Sequence, residues 1–102
     1  MSKITLDSVI QENLKKDPEF REHYQKELLI NEISARVVAL RNKAHLTQAE
    51  LARRAGTTQP VIARLESGTD SRVPSLDLLS RIAEASCAKL HISFENYAEN
   101  CQ

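Results

Sequence analysis

A chain of 102 residues, 41% hydrophobic and 27% charged, has the balance of one ordinary globular domain, burying about two-thirds of its unfolded surface. Its net charge of zero hides a basic middle: residues 34–74 carry Arg36, Arg41, Lys43, Arg53, Arg54, Arg64 and Arg72 against Glu50, Glu66 and Asp70, a net of +4 between flanks of −2 each, which is the footprint of a DNA-contacting face. The aromatics Phe20, Tyr24, Phe94 and Tyr97 all avoid that middle, and no apolar run approaches a membrane span or signal-peptide core; base-stacking RNA platforms and membrane proteins are disfavoured, and a cytoplasmic location is expected.

Ile4, Leu6, Val9, Ile10 and Leu14 form a loose helical stripe ending at Lys15-Lys16. Asp17-Pro18-Glu19 reads as a fresh helix start: a capping side chain, a proline that suits the first turn, and an acid at the positive helix end. Phe20, Tyr24, Leu28, Ile33, Val37 and Leu40 then keep helical spacing to about Lys43, either as one continuous helix or with a bend near Ile30-Asn31. Thr47-Gln48-Ala49-Glu50 is a capping box, with Leu46 and Leu51 as its hydrophobic staple, and Gly56 stops the short helix that follows. Thr58 is expected to cap a third helix with Pro60 in its first turn and Ile62 and Leu65 inward, ending at Ser67-Gly68. After a polar loop from Thr69 to Val73, Pro74-Ser75 opens a fourth helix with Leu76, Leu79, Ile82 and Ala83 on one face. Lys89 to Glu95 switches to alternation, with Leu90, Ile92 and Phe94 opposite His91, Ser93 and Glu95, and predicts a half-buried strand.

Two short helices about a glycine turn, with small Ala52 under the crossing and apolar Ile62, are the ingredients of a helix-turn-helix. Gln48 stands at the start of the first helix of the pair, Thr58 and Gln59 at the start of the second. In the major groove, the amino end of the second helix meets base edges, where glutamine pairs with N6 and N7 of adenine. Arg64 lies further along the same helix, within reach of guanine or a phosphate.

The run TQAELARRAGTTQPVIARLESG resembles the XRE (Cro/cI, phage 434 repressor-like) helix-turn-helix family over roughly residues 36–86. The resemblance implies a mainly α fold: a lambda-repressor-like helix-turn-helix bundle, here with a long N-terminal helical extension and one C-terminal β-strand. It also implies base reading by Thr58, Gln59, Pro60 and Arg64, with Gln48 bracing Gln59 and a phosphate, and a structural ion pair between Arg41 and Glu66. Thr47 and Arg72 complete the expected DNA contacts. Pro60 departs from the second glutamine of the nearest pattern, so the operator sequence does not carry over.

A lone strand needs partners for its amides and carbonyls, and a second copy about a two-fold axis would supply them, giving a homodimer whose reading helices lie about 34 Å apart on a palindromic operator. Leu90, Ile92 and Phe94 are the dimer-strand residues. The strand, the DPEF start and the Tyr24 helix resemble HigA-type antitoxins, which implies autoregulation and neutralisation of a RelE-like ribonuclease toxin, with Phe20 and Tyr24 as toxin-binding candidates. In that group a glycine precedes the strand; here Ser86-Cys87 stands there, so a left-handed cap must fall on a non-glycine residue or be avoided. The chain then divides into a helical arm (1–32), a DNA-binding domain (33–86) and a dimerisation strand with tail (87–102). A stand-alone phage-type or restriction-control repressor is the alternative function.

Other side chains read as bland. Arg53 and Arg54 suit a solvated face, and His23, His45 and His91 are scattered. Cys87 and Cys101 lack metal-ligand spacing, and neither metal nor cofactor is expected. An enzyme is not expected: no nucleophile sits beside a base, no carboxylate pair lies in an apolar context, and Gly56 and Gly68 alone make no phosphate loop.

Overall fold

The computed structural model describes Lys15 and residues 17–96, which form four helices: α1 (Pro18–Lys43), α2 (Gln48–Ala55), α3 (Gln59–Ser67) and α4 (Leu76–Ala85). The stripe from Ile4 to Leu14, together with Tyr97 and Cys101, lies outside the described residues.

The start of α1 follows from its first three residues. The Asp17 carboxylate accepts from the amides of Glu19 (3.0 Å) and Phe20 (3.3 Å), and Pro18 occupies a first-turn position where no amide is needed. The helix then runs for 26 residues straight through Ile30-Asn31, so the continuous alternative holds. It also crosses residues 32–33 without a break, so the arm and the DNA-binding segment share one helix. Its halves differ in surroundings. Ile30, Ser34 and Val37 are buried, and Ile33 and Leu40 pack against the core. Towards the amino end, Leu28 is 50% and Leu29 46% exposed, while Phe20 and Tyr24 are half-buried and stack on each other with ring centroids 6.3 Å apart. The apolar stripe expected along the whole helix therefore becomes core only from Ile30 onward, where neighbouring helices reach it.

Leu51, Ile62 and Ile82 are fully buried at the centre, one from each of α2, α3 and α4, surrounded by Val37, Leu46, Ala52, Ala55 and Leu65. Side chains of this kind contribute about 1.5–3 kcal/mol each when taken out of water. Leu76, expected on the inner face of α4, is 59% exposed because it is the helix's first residue; Leu78, one turn before Ile82, packs on the core instead. Two side chains that no periodicity marks tie the bundle together. The buried Ser34 hydroxyl donates to the Leu65 carbonyl at 2.6 Å, joining α1 to the end of α3. Arg81 of α4 donates to the carbonyls of Ala55 (2.8 Å) and Gly56 (3.1 Å), placing a cation on the negative end of α2.

Three helices close in the same way. At the end of α2 the Gly56 amide bonds to Arg53 O (3.3 Å) and the Thr57 amide to Ala52 O (2.9 Å), the paired closure that requires a left-handed residue, here Gly56 at φ 70°. At the end of α1 His45 takes that place (φ 59°), with its amide on Asn42 O and the Leu46 amide on Arg41 O. After α4 it is Cys87 (φ 59°), with its amide on Glu84 O and the Ala88 amide on Ala83 O. The left-handed cap expected of glycine before the C-terminal segment is thus borne by a cysteine, at a strain of roughly 1–2 kcal/mol.

No strand is found among the described residues, where 88–96 have no regular secondary structure, so the strand expected over Lys89–Glu95 is not seen within a single chain. The physical reason is partnership: a ladder needs a second edge, and the other described elements are all helices. Leu90 is half-buried, Ile92 is 54% exposed and Phe94 is 93% exposed.

Candidate nucleic-acid interface

Two helix starts meet on one face of the bundle. At α2 the Thr47 hydroxyl accepts from the Glu50 amide (3.1 Å) and the Thr47 amide donates to the Glu50 carboxylate (2.9 Å). That donation from the Thr47 backbone holds the Glu50 carboxyl below its usual range. At α3 Thr58 occupies the cap position, but its hydroxyl makes no capping bond, contrary to the expectation. Pro60 has no amide to offer, and the Val61 and Ile62 amides are taken by the Thr58 carbonyl at 3.1 and 3.2 Å. The hydroxyl is left without a donor to cap and lies exposed beside Gln59 and Pro60.

A single hydrogen-bonded chain runs from the core edge to this face. Arg41, in the last turn of α1, forks onto the Glu66 carboxylate through Nε (2.6 Å) and Nη2 (3.0 Å), and its Nη1 donates to the Leu46 carbonyl (2.9 Å). Glu66 Oε1 also accepts from Gln48 Nε2 (3.0 Å), and Gln48 Oε1 accepts from Gln59 Nε2 (2.9 Å). Burial would push the Glu66 carboxyl up, but the bonds from Arg41 and Gln48 and the Arg41 charge hold it below its usual range. The same bond raises Arg41 further above its already high value.

The order of donors fixes every orientation. A guanidinium only donates and a carboxylate only accepts, so Gln48 must turn its NH2 to Glu66 and its oxygen to Gln59. Gln59 must then turn its own NH2 to Gln48. What remains free on Gln59, at the exposed start of α3, is one carbonyl oxygen and one N–H. That acceptor and donor are the pair required by N6 and N7 of adenine. The structure thus brings Arg41, Glu66, Gln48 and Gln59 together. Thr47, Thr58, Pro60 and Arg64 are exposed, all but Arg64 at the two helix starts.

Arg72 stands on the loop after α3, exposed, with its Nε 3.4 Å from Asp70 Oδ1. The Arg72 backbone amide holds the Asp70 carboxyl below its ordinary value. Arg53 and Arg54 are exposed in the last turn of α2, where they oppose that helix's negative end. His45 is exposed and His23 lies 3.8 Å from Glu27 on α1. Among the described residues no cluster of His, Cys, Asp or Glu could hold a metal ion, Cys87 is a free exposed thiol, and no helix is long and apolar enough to cross a membrane. Sequence reasoning missed the bond from Gln48 to Glu66, which links the Arg41 pair to the exposed start of α3; polar residues at a helix start and at the end of the next helix are the only signal for it.

Residues 37–85 match the sequence model of the Helix-turn-helix family, nearly the span of the resemblance noted above. Over this stretch the chain is similar to XRE-type helix-turn-helix domains. Within the match α2 and α3 are the two helices of the motif, Gly56 lies in the turn, and α3 takes the place that the reading helix has in the family. The match points to a DNA-binding transcription regulator. No curated protein and no solved structure matched the chain.

Proposed function

We propose that this protein is a sequence-specific transcriptional repressor that lays the amino end of α3 in the DNA major groove. The observation that carries the reading is the fixed carboxamide of Gln59, with a free acceptor and donor facing solvent where the helix begins. Gln59 reads adenine, Pro60 presents apolar surface to a neighbouring thymine methyl, and Arg64 reaches guanine or a phosphate. Thr47, Thr58 and Arg72 contact backbone phosphates, helped by the positive ends of two adjacent helices. A selection from random duplexes tests this: an enriched motif with A·T pairs under Gln59 is expected, and affinity that ignores sequence would refute it.

The repressor acts in the cytoplasm as a homodimer through Leu90, Ile92 and Phe94. A nearly fully exposed phenylalanine beside a half-exposed isoleucine favours a second copy covering them. The finer reading is an antitoxin whose partner is a RelE-like ribonuclease. What favours it, beside the resemblance of the outer segments, is the amino half of α1, where Leu28 and Leu29 are about half exposed beside the Phe20–Tyr24 stack. Co-expression with a RelE-like product encoded alongside it tests this: co-purification lost in Tyr24→Asp is expected, and wild-type protein that purifies alone would refute the antitoxin role.

A further inference from the structure

The bundle holds a pocket of 280 Å³ between α1, α3, α4 and the loop that follows α3. Its floor is apolar, built from Ile30, Val61, Leu65, Val73, Pro74 and Leu78. Its rim is charged, with Arg64 and Arg72 against Asp70. Asp70 is shared between the two cations: it accepts from the Arg72 amide at 3.0 Å and lies 3.4 Å from Arg72 Nε, and the Arg64 charge also helps hold its carboxyl ionised. The Arg64 guanidinium makes no direct hydrogen bond or close ion pair among the described residues, and two cations against the one Asp70 carboxylate leave a net positive charge at the edge of the apolar floor.

We propose that this pocket binds a small amphipathic anion, a carboxylate carried on an apolar chain, and that binding withdraws Arg64 from DNA. The second half rests on the DNA-binding reading above. An inorganic anion would satisfy Arg64 but leave the floor wet, and an uncharged apolar molecule would cover the floor and leave the guanidinium unpaired. A cation is repelled. A carboxylate accepting from Arg64 with its chain over Leu65, Val73 and Leu78 satisfies both parts. The volume is close to the lower bound of about 300 Å³ for small-molecule sites, which limits the ligand to a short chain. Because Arg64 belongs to both the rim and the reading helix, the ligand and DNA compete for one side chain, and the ligand acts as an inducer.

The test is a methyl-resolved NMR titration of the full chain with octanoate, with 1-octanol as the uncharged counterpart. Saturable shifts are expected on Ile30, Val61, Leu65, Val73 and Leu78, while Leu51 and Ile82 stay still. Octanoate should bind about tenfold or more tightly than octanol, the ratio a hydrogen bond to a charged group supplies. Asp70→Asn keeps an acceptor for the Arg72 amide and should tighten octanoate binding; Arg64→Gln should weaken it. Absence of saturable shifts, equal affinity for octanol, or contacts from the methyls of residues 1–14 filling the pocket in the free protein would overturn the site. On a selected duplex, octanoate should weaken binding relative to acetate at equal ionic strength. If the methyls shift and DNA affinity does not, the inducer role is overturned; if no duplex binds, the DNA reading fails while the methyl titration still decides the site.

Discussion

Replacing Glu66 by glutamine changes no shape and breaks the chain of donors at its one carboxylate. The Glu66 side chain is 5% exposed and that of Arg41 16%, so the pair is largely shielded from water. Three donors converge on Glu66: Nε and Nη2 of Arg41 and Nε2 of Gln48. A glutamine keeps one accepting oxygen and turns the other into an NH2 group facing donors, while the Arg41 charge loses its counter-ion. Hydrogen bonds to charged groups contribute about 1.5–3 kcal/mol, and breaking a buried pair costs about 3–5 kcal/mol; with Arg41 still bonded to the Leu46 carbonyl, about 2–4 kcal/mol is expected. The loss carries a pH signature. Because the folded carboxyl is held below its unfolded value, its contribution is complete above about pH 4.3 and is lost as pH falls through the depressed folded value. Glutamine does not titrate. Urea unfolding followed by helical circular dichroism should therefore show a gap between wild type and Glu66→Gln that is widest at neutral pH and closes in acid. A gap below about 0.5 kcal/mol at neutral pH, or one that stays constant as pH falls, would show that the Glu66 charge does not hold this network.

Gly56→Ala should destabilise by about 1–2 kcal/mol in the same unfolding assay, since a Cβ at φ 70° is strained and would lie 3.2 Å from Arg81 Nη1. Cys87→Gly should stabilise by up to about 1 kcal/mol, because relief of the left-handed strain exceeds the added freedom of the unfolded chain; a drop in the unfolding midpoint would contradict this. Phe94→Asp should shift sedimentation from dimer to monomer and weaken operator binding far more than one lost contact explains, and a variant that stays dimeric would remove the C-terminal segment from the interface.

The helix starts and stops were legible because capping is local chemistry. Asp17, Thr47 with Glu50, Ser75, Gly56 and Gly68 each act within a few residues of their own position. The Arg41–Glu66 pair was legible only through resemblance, since 25 residues separate the partners. Contacts made across the fold by unremarkable residues left no trace: Ser34 on the Leu65 carbonyl and Arg81 on the carbonyls of Ala55 and Gly56 depend on where helices cross. Thr58 looked like a capping residue, yet the proline two positions on removes a donor that its hydroxyl could have met. Helical periodicity through Phe20, Tyr24 and Leu28 indicated an apolar face, but periodicity does not say whether a face meets the same chain or another. The alternation at Leu90, Ile92 and Phe94 has the same ambiguity, because a strand's partner edge is not written in its own residues.

On the function proposed here, the carboxamide of Gln59, held by Gln48, reads a base. The most direct measurement is the affinity of Gln59→Ala for a selected duplex and for the same duplex with the A·T pair under Gln59 changed. A loss of about 1–3 kcal/mol on the selected duplex is expected, with discrimination abolished at that base pair alone and binding to random DNA unchanged. Equal losses on selected and random DNA, with discrimination intact, would contradict this reading.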